Sequence, residues 1–514
     1  MGSLVDALAC GTSPTSTLAC MSLVRVWVLL LTCAVLTAAC GSETIKPAKP
    51  TRADLAAAAR APSGDWTQFD YDAQRTGVGP GATGINAGNL RLLRERVVHL
   101  DGTVDSAPIE LHAIDVGGTR RDVIVVTTTY GHTVAIEAQT GRTLWEFTPS
   151  DIGRYAGSYQ VTTATPIADP DDRYVYAAAP DGLIHKLVLA TGADVHNGHW
   201  PARVTYDATH EKIASPLNIS GRWLVVVTGG YLGDAPPYQG HVVLIDRSSG
   251  AVAHVFNTLC SNRHYLIDPS TCSASDSAIW ARAGAVIEPG SGRILVATGN
   301  APFNGSTNWG DSVLELSPDA TRVLHNWTPR NQAQLDANDT DLGSTAPALL
   351  GDGLAVQGGK AGVLSLLDLS RLVGPGPRTG GELQDTATPG SDQMLTAPAV
   401  WRHQGRTYVI GADGSGTTGY VLVPGARPRL RVAWSNGTAG TSPVIAGGLL
   451  YVFDPGGALN VYWPGTGGRL GSLPAASGHW NSPIVVGGRI VLPVGNYQAH
   501  SDHGTLLIYH LPGR

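Results

Sequence analysis

Charge is scarce in this chain, and lysine scarcest of all. Charged residues make up 15% of its 514 residues, and only five of the 35 basic side chains are lysine. No basic run exceeds two residues and the net charge is −6. Nothing here answers nucleic acid, whose phosphates reward clustered cations by counterion release. Cysteine is sparse too, at six. There is no CxxC, no Cys/His cluster with zinc spacing and no CxxCH, which excludes a structural zinc and a covalently attached haem. No long helical period competes with the short apolar runs that fill the chain. Its length allows one large closed architecture or two to three ordinary domains.

The longest apolar run lies near the start. From Met21 the chain reads "MSLVRVWVLLLTCAVLTAAC": one Arg, an apolar stretch, then small residues up to Cys40. The run is too short to span a membrane and a Ser/Lys/Pro segment follows at once, as in an export signal. The small residues before Cys40 resemble a bacterial lipoprotein box, which implies lipidation of that cysteine; the other reading is an ordinary signal peptide with a chance cysteine. Met1–Cys20 carries no cation, so Met21 is the expected initiator. Residues 41–63, "GSETIKPAKPTRADLAAAARAPS", read as a Pro/Ala tether. Export leaves Cys260 and Cys272 as a pair in a polar stretch, where a disulfide closing a short loop is expected, against the alternative of two buried thiols.

Beyond the tether the pattern is β. Short β-branched runs recur ("DVIVVTT", "WLVVVTGG", "RILVATGN", "RTYVIGAD", "LLYVFDP", "RIVLPVGN"), each bounded by Gly, Pro, Asp or Asn. They sit in a repeat. A Ser/Thr/Pro anchor opens each unit, at Ser106–Pro108, Thr163–Pro166, Ser215-Pro216, Thr345–Pro347, Thr396–Pro398, Thr441–Pro443 and Asn481–Pro483. An eighth unit begins near Trp280 without the Pro. This period belongs to four-stranded propeller blades. Thr-Gly turns, clearest in "AIEAQTGRTLWEF" with weaker copies in "KLVLATGADV" and "VLIDRSSGAVAHVF", supply the positive-φ residue, and the apolar residue beyond is expected to pack between blades. The last unit is one strand short, and "NLRLLRERVVHL" (89–100) precedes the first anchor. Their pairing would close an all-β, eight-bladed propeller over 64–514 and remove its open edges.

The "AxDxxTGxxxW"-like turns, the opening "DWTQFDYDAQRTG" and the Pro anchors resemble the PQQ-binding-like β-propeller repeat superfamily, over nearly the whole mature chain. That scaffold serves two kinds of protein: calcium-dependent quinoprotein dehydrogenases of alcohols and sugars, and non-catalytic lipoproteins such as the outer-membrane assembly factor BamB. Fold alone does not choose between them. In the dehydrogenases, the resemblance implies, Ca²⁺ polarises a quinone carbonyl while an Asp takes the substrate's hydroxyl proton. "ATGNAPFN" is similar to the loop that places a calcium-ligating amide, here Asn300. "DTDLGSTAPALL" puts Asp341 at the catalytic Asp, "GGKAGVLSLLD" aims Lys360 at the quinone oxygens, and Trp280 resembles the tryptophan stacked under the cofactor.

The pattern then departs. Where the family has a calcium-binding Glu after a strand, "WLVVVTGGYLGDAPPYQG" has Tyr231, and a neutral phenol does not replace a bidentate carboxylate on Ca²⁺. Asp234 is three residues away. The adjacent-cysteine ring and any haem module are absent. Each residue also has a plainer reading: Asn300 as a strand-end cap, Asp341 as a turn residue, Lys360 as a surface lysine, Trp280 as inter-blade core. The loop "GDAPPYQG" (233–240) reads as a rigid insertion whose aromatic and prolines are exposed to a partner. Two functions stay open. The first is a lipid-anchored, monomeric, cofactor-free binding or scaffold module at the cell envelope, with a protein or glycan partner and no nucleic acid. The alternative is a PQQ- and Ca²⁺-dependent dehydrogenase.

Overall fold

Each β-branched run pairs with its neighbours into a four-stranded antiparallel sheet, and eight such sheets follow one another along the chain. The computed structural model describes residues 64–372 and 378–514, with Thr44, Lys49 and Thr51. The signal region 1–40 with Cys40, and almost all of the 41–63 tether, lie outside the described residues. Within Ser42–Arg514, a single compact unit, every anchor immediately precedes the innermost strand of a blade. Ile109–Val116 follows the first, Ala348–Gly351 the fifth unit's and Ile484–Val486 the last. The anchorless unit near Trp280 likewise leads into Val286–Ile287.

Closure is by the expected pairing. Arg94–Leu100 runs antiparallel to Gly504–His510, with Arg94 opposite His510 and Leu100 opposite Gly504. Its side chains alternate between solvent and core, with Val98 and Leu100 buried, the period-two signature of a half-buried strand. The seam is not a weak edge. Val98, Leu506, Ile484, Tyr451 and Ile124 belong to one buried apolar cluster joining the last blade to both neighbours.

The Thr-Gly turns do what their chemistry requires. Trp145 is buried in the middle of the first blade's outer strand, Thr143–Phe147, and donates its indole N–H to Leu189 O at 2.7 Å in the second blade. The glycine of the next turn, Gly192 (φ +72°), lies against it, and a Cβ there would meet the indole at 2.5 Å. Gly467 faces Trp434 in the same way, at 2.4 Å. Glycine thus supplies both the positive φ and the clearance for the preceding blade's tryptophan. The copy in "KLVLATGADV" departs: its outer strand is only Ala202–Arg203. The tryptophan that fills the slot, Trp200, comes later than in the first blade and packs on Tyr176 at 5.4 Å.

The opening motif has a structural role of its own. The chain from Trp66 to Thr83 crosses the innermost strand region of all eight blades in turn. Trp66 pairs with Glu110, Thr67 O accepts from Ala168 N, Ala73 O from Ile287 N and from Asn218 Nδ2, Thr76 O from Val400 N, Gly77 O from Ile445 N, and Thr83 O from Gly488 N. Gln74 reaches Leu349 O at 3.3 Å. Arg75, fully buried, donates to Phe69 O, Leu217 O and Ala283 O. This segment thus ties the inner strands of all eight blades together through one run of hydrogen bonds. No helix among the described residues is long and apolar enough to cross a membrane.

Candidate functional site

Side chains just upstream of the anchors gather where the inner strands start. Lys212, Trp280, Asp341, Leu395 and Trp480 each sit a few residues before an anchor or its equivalent, and all line one cavity of about 360 Å³. Asn300 and Lys360 come from the loops after the second strands of the fourth and fifth blades and line it too. The four residues singled out by resemblance, Trp280, Asn300, Asp341 and Lys360, therefore meet in one place.

Their geometry is tightly specified. Lys360 Nζ lies 2.6 Å from Asp341 Oδ2 and 3.0 Å from Asp339 Oδ1, and 5.6 Å from the centroid of the Trp280 ring. The backbone N–H of Lys360 donates to Asp341 O at 2.9 Å, and Gln357 Nε2 ties the same turn to Leu342 O and Thr345 O. Asn300 donates its backbone N–H to Asp341 Oδ1 at 2.9 Å and its side-chain amide to Asp339 Oδ1 at 3.0 Å. Its own Oδ1 is buried without a partner. Glycine before Asn300 is needed for this approach: a Cβ at Gly299 would meet Asp341 Oδ1 at 2.3 Å. Burial alone would lower the Lys360 ammonium, but Asp341 and Asp339 outweigh it and hold the group above its ordinary pKa.

Tyr231 stands at the cavity wall with its hydroxyl turned to Ala208 O, 2.9 Å away. Burial and nearby carboxyls raise that phenol further, so it stays neutral. Asp234, the nearest carboxyl in sequence, accepts from Tyr238 Oη at 3.0 Å, and burial raises its pKa. The 233–240 loop thus corrects one expectation: Tyr238 is buried, stacked over Gly230, and does not present an aromatic surface. Its hydroxyl donates to Asp234 of the same loop. Leu232, beside it, is the exposed apolar residue, at 53%.

A calcium ion does not fit these residues. Among the described residues no group of three or more His, Cys, Asp or Glu is placed to hold a metal. The position expected for an anionic ligand holds Tyr231, already donating elsewhere, and Lys360 neutralises the two carboxylates nearest Asn300. Calcium needs several oxygen ligands with anionic ones among them. Hence no calcium-assisted quinone step is derived for this site.

Residues that sequence reasoning missed complete the wall. Lys212 belongs to a two-residue ribbon, Glu211–Lys212 paired with Gly229–Gly230. Successive side chains point oppositely: Glu211 turns into the blade, where it meets His241 and accepts from Gln239 N, while Lys212 turns to the cavity. Trp480 lies beside Trp280, ring centroids 6.0 Å apart at 32°, and Tyr497 and Asp276 are also on the wall. The usable signal was register: in five of the eight units a position just upstream of the anchor or its equivalent lines the cavity. Cys260 and Cys272 form a disulfide with Cα atoms 6.2 Å apart, as expected from their isolation.

The chain folds as a closed ring of eight four-stranded blades with Thr-Gly/Trp turns, the architecture of the PQQ-like β-propellers it resembles. Residues 102–255 match the family model described as outer membrane protein assembly factor BamB. No curated protein matches by sequence. Among solved structures the chain is similar to the quinohemoprotein alcohol dehydrogenase from Comamonas testosteroni, at 16% identity over 90% of this chain and 84% of that one, TM-score 0.61. A second, the alcohol dehydrogenase ADHIIG from Pseudomonas putida HK5, gives 16% identity, 91% and 83% coverage and TM-score 0.62. A europium-containing methanol dehydrogenase gives 15%, 89% and 100%, and 0.63. At such identities the likeness speaks for the fold, and function must come from the site.

Proposed function

We propose that this chain is a non-catalytic binding propeller of the cell envelope. In this reading it is exported, anchored through a lipid on Cys40, monomeric and free of calcium and quinone, and it takes a protein or glycan partner at an end of the propeller. The observation that supports it is the fate of the would-be calcium site. Tyr231 replaces the anionic ligand and its hydroxyl is held by Ala208 O, while Lys360 sits on Asp341 and Asp339.

The second reading, a PQQ- and Ca²⁺-dependent dehydrogenase, draws its support from the meeting of Trp280, Asn300, Asp341 and Lys360 around one cavity. Calorimetric titration of pyrroloquinoline quinone into the full chain, with Ca²⁺ or with a chelator, separates the two. The binding-module reading expects no calcium-dependent heat and no dye-linked oxidation of alcohols or sugars. Calcium-dependent binding at micromolar or tighter Kd, weakened in Asp341→Asn, would establish the dehydrogenase instead.

A further inference from the structure

Of the two lysines on the cavity wall, Lys360 is held by two carboxylates and Lys212 has no hydrogen-bond or ion-pair partner among the described residues. Its side chain is 4% exposed and lines the cavity. The contact its ammonium makes is with the face of the Tyr497 ring, 4.4 Å from the centroid. No hydrogen-bond acceptor or ion-pair partner meets it among the described residues. The carboxylate that acts on it, Asp105, is engaged elsewhere: it accepts from His479 Nδ1 at 2.7 Å, Tyr497 N at 3.1 Å and Trp480 N at 3.2 Å. Burial, opposed by Asp105 and helped by repulsion from Arg282, brings Lys212 down to about 8. An ammonium buried without an acceptor is costly, and the missing acceptor has one place to come from, the cavity.

The rest of the wall narrows what carries it. Trp280, Trp480 and Tyr497 line the same cavity as Lys212, with Trp280 and Trp480 centroids 6.0 Å apart and Trp480 and Tyr497 centroids 6.2 Å apart. Asp234, Asp276 and Asp336 on the same wall are raised by burial, so added hydrogen-bond donors relieve them and added anions do not. The volume lies in the range of roughly 300–1,000 Å³ typical of small-molecule sites.

From this we infer that the cavity binds a small sugar acid, its carboxylate on the Lys212 ammonium, its ring against the indoles and its hydroxyls donating to the aspartates. The inference rests on the reading of the propeller as a calcium-free binding module, and gives that module a ligand class.

The test is titration of D-glucuronate and of D-glucose, the same ring without the carboxylate, into the full chain and into Lys212→Met, with thermal unfolding of both proteins run alongside. Glucuronate should bind at least tenfold tighter than glucose to the unaltered chain, and that advantage should vanish in a Lys212→Met protein that unfolds at the same or a higher temperature. Lys212→Arg, which keeps the charge, should retain part of it. Glucuronate binding no tighter than glucose, an advantage that survives Lys212→Met, or no heat from glucuronate up to about 10 mM would each overturn the inference. Those failures leave the calcium-free reading standing, and calcium-dependent quinone binding would remove that reading by a separate measurement.

Discussion

Lys360 and Lys212 stand on the wall of one cavity, and their surroundings are opposite. Lys360 touches two carboxylates and its backbone is tied to Asp341. Lys212 is more deeply buried and rests on an aromatic ring alone. The paired lysine completes a local structure: it neutralises Asp339 and Asp341 and fixes the turn that holds Asn300. The unpaired one carries a charge that the fold leaves unanswered. The difference separates a polar group that finishes the protein from one that waits for a ligand. It also explains why the site resembles a cofactor cradle and lacks a calcium ion's ligands: its best carboxylates already have a cation, the protein's own.

That contrast can be broken most forcefully on the paired side. Asp341→Ala strips Lys360 of its closest partner and leaves the Asn300 N–H without an acceptor, and should lower stability by about 2–4 kcal/mol in denaturant unfolding. A loss below half a kcal/mol would mean the pair is ornamental. Asp311 lies behind the same turn, accepting from Leu342 N at 3.1 Å and Gln332 Nε2 at 3.3 Å. Burial pushes it up to about 7, with repulsion from Asp341 adding to the rise. A raised acid binds its proton in the native state first, so its contribution to stability falls as pH rises from about 4 to 7. Asp311→Asn should remove that slope and be about 1–2 kcal/mol more stable than the unaltered chain at pH 8. Equal pH profiles for the two proteins would show that Asp311 is ionised throughout.

On the unpaired side the sign reverses. Lys212→Met should raise stability by about 1 kcal/mol at pH 7, since it removes an uncompensated buried charge. With the native pKa below the unfolded value, the native state sheds its proton first, and stability climbs with pH from about 8 towards 10.5. The gap between variant and unaltered chain should therefore close across that window. A destabilised variant at pH 7 would mean that Lys212 has a partner after all. Tyr231→Phe is the smallest change: losing one hydrogen bond to Ala208 O should cost about 1 kcal/mol or less in unfolding free energy. A larger loss would give the phenol a part in the cavity beyond that bond.

Much of this molecule was legible before any coordinates. The anchors marked the start of each inner strand, and the unpaired strand 89–100 announced how the ring closes, because both follow from local backbone chemistry and edge satisfaction. The copy in the second blade is weak for a physical reason: its slot-filling tryptophan, Trp200, lies farther along, and turn spacing alone does not reveal that. At the site, resemblance pointed to Trp280, Asn300, Asp341 and Lys360, and they do converge. Lys212 stayed hidden because a lysine next to a short strand reads as solvent-facing until the two-residue ribbon shows which way it turns. Tyr238 misleads in the opposite direction, since an aromatic among prolines looks exposed although its ring packs over Gly230 and its hydroxyl turns back to Asp234 of the same loop.

The most direct test of the account is thermal unfolding of the full chain in millimolar Ca²⁺ and in chelator, with Asp341→Asn as the companion. With Lys360 already seated on Asp339 and Asp341, the unaltered chain should unfold at the same temperature in both buffers. A rise of several degrees in Ca²⁺ that disappears in Asp341→Asn would put a calcium ion where the account places an ammonium, and would contradict it.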